Sequence, residues 1–153
     1  MPRFEQSIQI SAPPEFVFET ITDPKRSQEW NPNIVDVSNI SPYPVCLGSS
    51  WQQTVMAMGK PVSFTCEIVY FQPPHEGILR VSGGQQATIV TRCDPVPGGT
   101  RVIQKVDFTM PGGKLAALAG GLAKSALQSE IGRGLQRQRE IVEREYGAGR
   151  GAS

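Results

Sequence analysis

Among its 153 residues the chain has one histidine, His75, and three widely spaced cysteines, Cys46, Cys66 and Cys93. There is no CxxC pair and no cysteine–histidine cluster. A zinc site or a disulfide framework needs such spacings, so neither is expected, and no cofactor is implied. The thiols read as small buried hydrophobes kept reduced, which makes the cytoplasm the expected location. Charge of one sign is also lacking: Lys+Arg 15 stands against Asp+Glu 14, a net +1. That balance speaks against nucleic acid held by a bulk basic surface. Long apolar runs are missing as well. The longest, Leu115 to Ala123, is nine residues, where a bilayer-spanning helix needs about 20. The opening MPRFEQSIQIS carries charge and no apolar core, so no secretory signal is expected.

What is abundant is turn chemistry, with Gly 16 and Pro 13. That excess favours short strands over a helical bundle. Hydrophobic residues make up 39% and charged residues 19%, a globular composition, and the length suits one sizeable core. Phe4 to Ser11 alternates as an opening strand. Pro14, Val17, Phe18 and Ile21 share a helical face, with Pro14 and Glu15 suited to the first turn. Asp23-Pro24 stops that helix and starts a second one, which Asn31-Pro32 keeps short.

Six strands follow, at Ile34–Ser41, Ser49–Met58, Val62–Tyr70, Ile78–Ser82, Gln85–Cys93 and Thr100–Met110. The clearest alternation is Val62, Phe64, Cys66, Ile68, Tyr70. After Pro111-Gly112-Gly113 the period becomes helical, with Leu115, Leu118 and Leu122, then Leu127, Ile131, Leu135 and Val142. The spacing predicts a helix over Lys114–Tyr146, roughly 50 Å long, and a frayed tail from Gly147. Hairpin-length connections predict an antiparallel sheet, and the helix stripe needs the apolar face of that sheet as its partner.

On these residues the chain resembles a known superfamily. SAPPEFVFETITDP followed by Trp30-Asn31-Pro32, the turn Gly98-Gly99-Thr100-Arg101-Val102, and Pro111-Gly112-Gly113 before a terminal helix are similar to the START-related, polyketide-cyclase-like (SRPBCC) superfamily. The resemblance spans about residues 4–146. It implies an α+β helix-grip fold: a seven-stranded antiparallel sheet wrapped around a long C-terminal helix, with two short helices between strands 1 and 2. It further implies one START-like domain over residues 1–146, followed by the tail 147–153. Members bind lipids, polyketides or other aromatic metabolites in a cavity between sheet and helix, and some catalyse cyclisation or dehydration there. Fold alone does not choose between these.

The expected function is therefore binding of a small hydrophobic molecule, with a polyketide aromatase/cyclase or dehydratase as the alternative. No catalytic motif is visible. His75 lies in a Pro-Pro-His-Glu-Gly turn, where it cannot easily exclude water or be held as a base. Glu67 and Asp107 have the parity opposite the apolar face and are expected in solvent. The candidate ligand-binding residues are Trp51, Phe64, Cys66, Ile68, Val81, Gln104, Val106, Phe108, Leu115, Leu118 and Leu122. Gln104 stands out, because it shares the parity of Val102, Val106 and Phe108 and brings an amide to an apolar face. Thr54 and Thr88 are weaker candidates of the same kind, and Met56 and Met58 suit either a pocket or ordinary packing. Gly120-Gly121 in the terminal helix suggests either a hinge or a close contact.

Overall fold

Alternation at the N-terminus becomes β1 (Arg3–Ile10), and the Pro14 start produces α1 (Pro14–Ile21) with Glu15 in its first turn. In this computed structural model, residues 3–57, 59–83, 86–109 and 113–151 are described, without the side chains of residues 3, 4, 57, 108, 109, 113–127 and 148–151. Asp23 caps the next segment by accepting a hydrogen bond from the Lys25 amide at 3.0 Å. That segment is a 3-10 turn over Pro24–Arg26, which leads into the four-residue α2 (Ser27–Trp30). Then come β2 (Ile34–Ser41), β3 (Ser50–Ala57), β4 (Lys60–Gln72), β5 (Glu76–Ser82), β6 (Gln86–Val96) and β7 (Gly99–Thr109). Helix α3 (Gly113–Gly151) closes the chain.

The strands form one antiparallel sheet in the order β1-β7-β6-β5-β4-β3-β2. Each strand from β2 to β7 pairs with its sequence neighbour, and α1 and α2 carry the chain between the two edges, β1 and β2. This is the helix-grip arrangement that the resemblance implies.

Three boundaries differ from expectation for physical reasons. Between Ile68 and Tyr70 the pairing of β4 with β5 shifts by one residue. This bulge reverses the parity, so Tyr70 is exposed while Phe71 takes the inward position opposite Gly77. Strand β6 runs on through Asp94-Pro95-Val96 and turns only at Pro97-Gly98, where Gly98 has φ +85. Pro95 is tolerated because pairing with β5 ends at Arg92, so its missing N–H faces no neighbour. Helix α3 has 39 residues, about 58 Å, and continues past Tyr146.

The core is densest where α3 crosses α1 and one end of the sheet. Ile10, Val17, Phe18, Ile21, Cys93, Val102, Leu135 and Val142 form one buried cluster there. Gly99 allows the β1 end to come close: a Cβ at that position would overlap the Ile10 carbonyl oxygen. Beside it, the buried Thr100 hydroxyl donates to the Ala12 carbonyl at 2.7 Å. Two glycines seat α3. A Cβ on Gly132 would lie 2.8 Å from Gln6 Oε1, and one on Gly134 would lie 3.5 Å from the Trp30 carbonyl. Trp30 is buried, as a packing residue for the short helices should be, and its carbonyl accepts from Arg137 at 3.2 Å. Arg26 donates to Glu29 and to Glu145, which ties the 3-10 turn to α3. Cys66 and Cys93 are buried, but Cys46 is exposed, because its loop lies outside the sheet.

Candidate functional site

Strand register arranges the inward side chains in rows across the sheet. The first row aligns Trp51, Cys66, Val81, Ala87 and position 108 on neighbouring strands. A second aligns Ile68, Leu79, Ile89 and Val106. The third is Phe71, Gly77, Thr91, Gln104 and Gln6. In the fourth, Cys93 pairs with Val102 and Val102 with Ile8. The fourth row is sealed by α1 and α3, with Cys93 and Val102 both 0% exposed. In the first two rows the central strands behave differently. Leu79 and Val81 of β5 and Ala87 and Ile89 of β6 are only half-buried, although they stand in the middle of the inner face. Apolar side chains at such positions are normally covered.

Polar groups enter this face mainly at the third row. Gln104 is half-buried and donates from Nε2 to Thr91 Oγ1 at 3.4 Å, a long contact. Gln6 is turned to the helix, where its Nε2 donates to the Gln128 carbonyl at 2.7 Å. From α3, Ile131 reaches Val106, and Leu135 and Val142 join the sealed end. Gln138 falls between those two residues and is 4% exposed. Among the described inward positions of the strands, the titratable groups are Cys66 and Cys93. Burial pushes both thiols up to about 12, and Asp94 adds to the effect at Cys93. At neutral pH both thiols are therefore protonated, weakly polar wall groups rather than nucleophiles. No group of three His, Cys, Asp or Glu side chains gathers to hold a metal among the described residues.

The family model described as polyketide cyclase/dehydrase and lipid transport matches residues 1–143. The chain belongs to this family. Among curated proteins none matches the sequence. Solved structures share the fold at low identity. TTHA0849 of Thermus thermophilus superposes with a TM-score of 0.79 at 18% identity, covering 92% of this chain and 97% of that one. The di-domain ARO/CYC StfQ of the steffimycin biosynthetic pathway reaches 0.79 at 12% identity, covering 95% of this chain and 52% of that one. Ara h 8.0201 reaches 0.68 at 16% identity, covering 92% and 96%.

In this member of the family, register brings Trp51, Cys66, Val81, Ile68, Val106 and Gln104 onto one face, with Phe64 one step further toward the rim opposite Gln53. Trp51 is buried with Cys66 and Ile68, and its Nε1 donates to Gln53 at 3.4 Å. The backbone of position 108 pairs with Ala87, and Leu115, Leu118 and Leu122 lie in α3, but these four side chains are outside the described ones, as are Met58 and any contacts of the Gly120-Gly121 pair.

Several secondary candidates face the wrong way. Thr88 is exposed and pairs with Asp107 on the outer face. Thr54 contacts Ser63 at 3.1 Å on that same face, and Met56 is exposed. Strand parity places them there, one residue out of step with Gln53 and Val55. Glu67 is exposed, 4.0 Å from Arg80. His75 is exposed in its turn, with no place on the inner face. Asp107 is half-buried rather than open to solvent, because neighbouring strands flank it in the sheet.

Sequence reasoning missed Thr91 and Gln6, whose place beside Gln104 depends on register. It also missed Gln138, although the stripe Ile131, Leu135, Val142 has a vacant step at that position. The described residues also enclose an open groove of about 810 Å³ between β1 and α3, edged by Ser7, Gln128, Arg133, Gln136 and Arg139. Its edges are mostly polar, and Gln6, Ile8 and Leu135 reach it from the third row and the sealed end.

Proposed function

We propose that the protein binds a small apolar molecule, with an acyl chain or aromatic body, between the inner face of the sheet and α3. The carrying observation is the row of half-buried apolar side chains on the central strands, Leu79, Val81, Ala87 and Ile89, beside a sealed core at the fourth row. Apolar surface left uncovered at the middle of a sheet is stabilised by a ligand that removes it from water, at about 25 cal/mol per Å². The family description, which names lipid transport, supports the same reading. The reading takes the protein as cytoplasmic, in keeping with its free thiols Cys46, Cys66 and Cys93, and as acting without nucleic acid. A second reading is cyclisation or dehydration of a polyketide-like chain in the same space. It is favoured by the Gln104–Thr91 pair, a neutral polar step among apolar rows that can orient carbonyl groups.

The test is titration with the uncharged fluorescent probe N-phenyl-1-naphthylamine. Saturable one-site binding is expected, and Phe64→Arg should abolish it by placing a charge on the half-buried rim of the apolar face. Unchanged saturable binding in a folded Phe64→Arg protein refutes this location.

A further inference from the structure

The connection between β2 and β3, residues 42–48, reads Pro-Tyr-Pro-Val-Cys-Leu-Gly. It sits in a wider stretch, residues 37–59, without a single Asp, Glu, Lys or Arg. Leu47 is 63% exposed, more than any other large hydrophobic residue described, and Tyr43 is 43% exposed. Apolar residues scattered singly over a surface need no explanation, but Pro42, Tyr43, Pro44, Cys46 and Leu47 are all exposed within one loop. The loop is also firmly held. Ser49 Oγ accepts from the Cys46 amide and donates to the Pro42 carbonyl, both at 2.9 Å, and the Gly48 amide donates to the Ile68 carbonyl. The Tyr43 hydroxyl donates to Asp23 at 3.0 Å, and Lys25 Nζ lies 3.8 Å from the centre of the ring. Side chains ordered in advance lose little freedom on docking. On its inner side the loop joins the wall of the site, because Val45 packs against Trp51, Cys66 and Ile68 of the first and second rows.

Resting on the binding function proposed above, we infer that this loop docks the protein on the surface of a lipid bilayer, with which the apolar ligand is exchanged. Leu47 enters the acyl boundary, while Tyr43 and Lys25, an aromatic ring beside a cation, suit the headgroup layer. The charge pattern selects this occupant: an uncharged loop with one flanking lysine, on a chain of net +1, matches an electrically neutral lipid surface. Contact is then made by apolar insertion and not by attraction to anionic lipid.

The experiment is flotation with phosphatidylcholine vesicles. Wild type should float with the vesicles, and binding should persist in sodium chloride at about 1 M, where charge attraction is screened beyond about 3 Å. Leu47→Asp should lower the partition about tenfold or more, with Tm and vesicle-free binding of N-phenyl-1-naphthylamine unchanged. A nitrobenzoxadiazole label on Cys46, the exposed thiol, should shift its emission to the blue when vesicles are added. Wild type left in the aqueous phase, Leu47→Asp floating like wild type, or binding that needs anionic lipid and fails at high salt overturns the docking and leaves the binding function standing. So does a concentration-dependent dimer that Leu47→Asp abolishes without any flotation, since the loop then faces a second copy. Failure of wild type to bind the probe overturns the inference together with the function on which it rests.

Discussion

Replacing Gln104 by leucine separates a ligand-orienting amide from a scaffold amide. Its hydrogen-bond acceptor, Thr91 Oγ1, is 3.4 Å away, beyond the usual range, so the bond contributes at the low end of hydrogen-bond values, about 0.5 kcal/mol. Leucine has a similar volume and no hydrogen-bonding demand, and the site is half-buried between Val102 and Val106. The gain in apolar burial should offset most of the lost bond, so stability is expected to stay within about 0.5–1 kcal/mol of wild type. A ligand carbonyl that accepts from Gln104 Nε2 should lose about 1 kcal/mol, or roughly fivefold in Kd. Urea unfolding gives the first quantity, and calorimetric titration with 1-acetylnaphthalene gives the second. Thr91→Val is the matched control: it removes the competing acceptor and leaves Nε2 free, so affinity should hold or rise. A stability loss above about 1.5 kcal/mol in Gln104→Leu, with affinity intact, refutes the orienting role and assigns the amide to the sheet.

Two further predictions concern the frame that holds this site. Gly99→Ala would drive a Cβ into the Ile10 carbonyl oxygen, forcing back the end of β1 and straining the Thr100–Ala12 bond. A loss of about 3 kcal/mol is expected, and a calorimetric Tm lower by roughly 6–12 °C; a loss under about 1 kcal/mol would contradict the close approach. The Arg26 guanidinium donates to Glu29 and Glu145 and holds both carboxyls below the usual carboxylate value. Their folded pKa values being depressed, the contribution is full above about pH 4.5 and is lost as pH falls through the folded values. Since both carboxylates are partly exposed, the double variant Glu29→Gln/Glu145→Gln should differ from wild type by only about 1 kcal/mol at pH 6, with the two stabilities converging as the pH is taken down through the depressed carboxylate range. Urea midpoints that run parallel across that range would show that the pair adds nothing.

Local chemistry was enough to make the elements legible. Pro14 and Asp23-Pro24 set the helix starts, alternation over Val62–Ile68 defined β4 in isolation, and the change of period after Gly113 defined α3. The inward parity of Trp51, Cys66, Ile68 and Val106 could be read for the same reason, since side chains on one strand alternate by a fixed rule. Cross-strand alignment could not be read that way. The bulge between Ile68 and Tyr70 depends on how β5 pairs, and it moved Phe71, not Tyr70, to the inner face. Thr91 joins Gln104 only because β6 and β7 meet in one register out of several that alternation permits. Gln138 looks like an ordinary surface glutamine on a charged helix, and it is buried because Gly132 and Gly134 let α3 settle between β1 and Trp30. Periodicity is a property of neighbouring residues and is written in the sequence. Which polar group ends up buried is a property of distant segments brought together, and only the tertiary structure decided it.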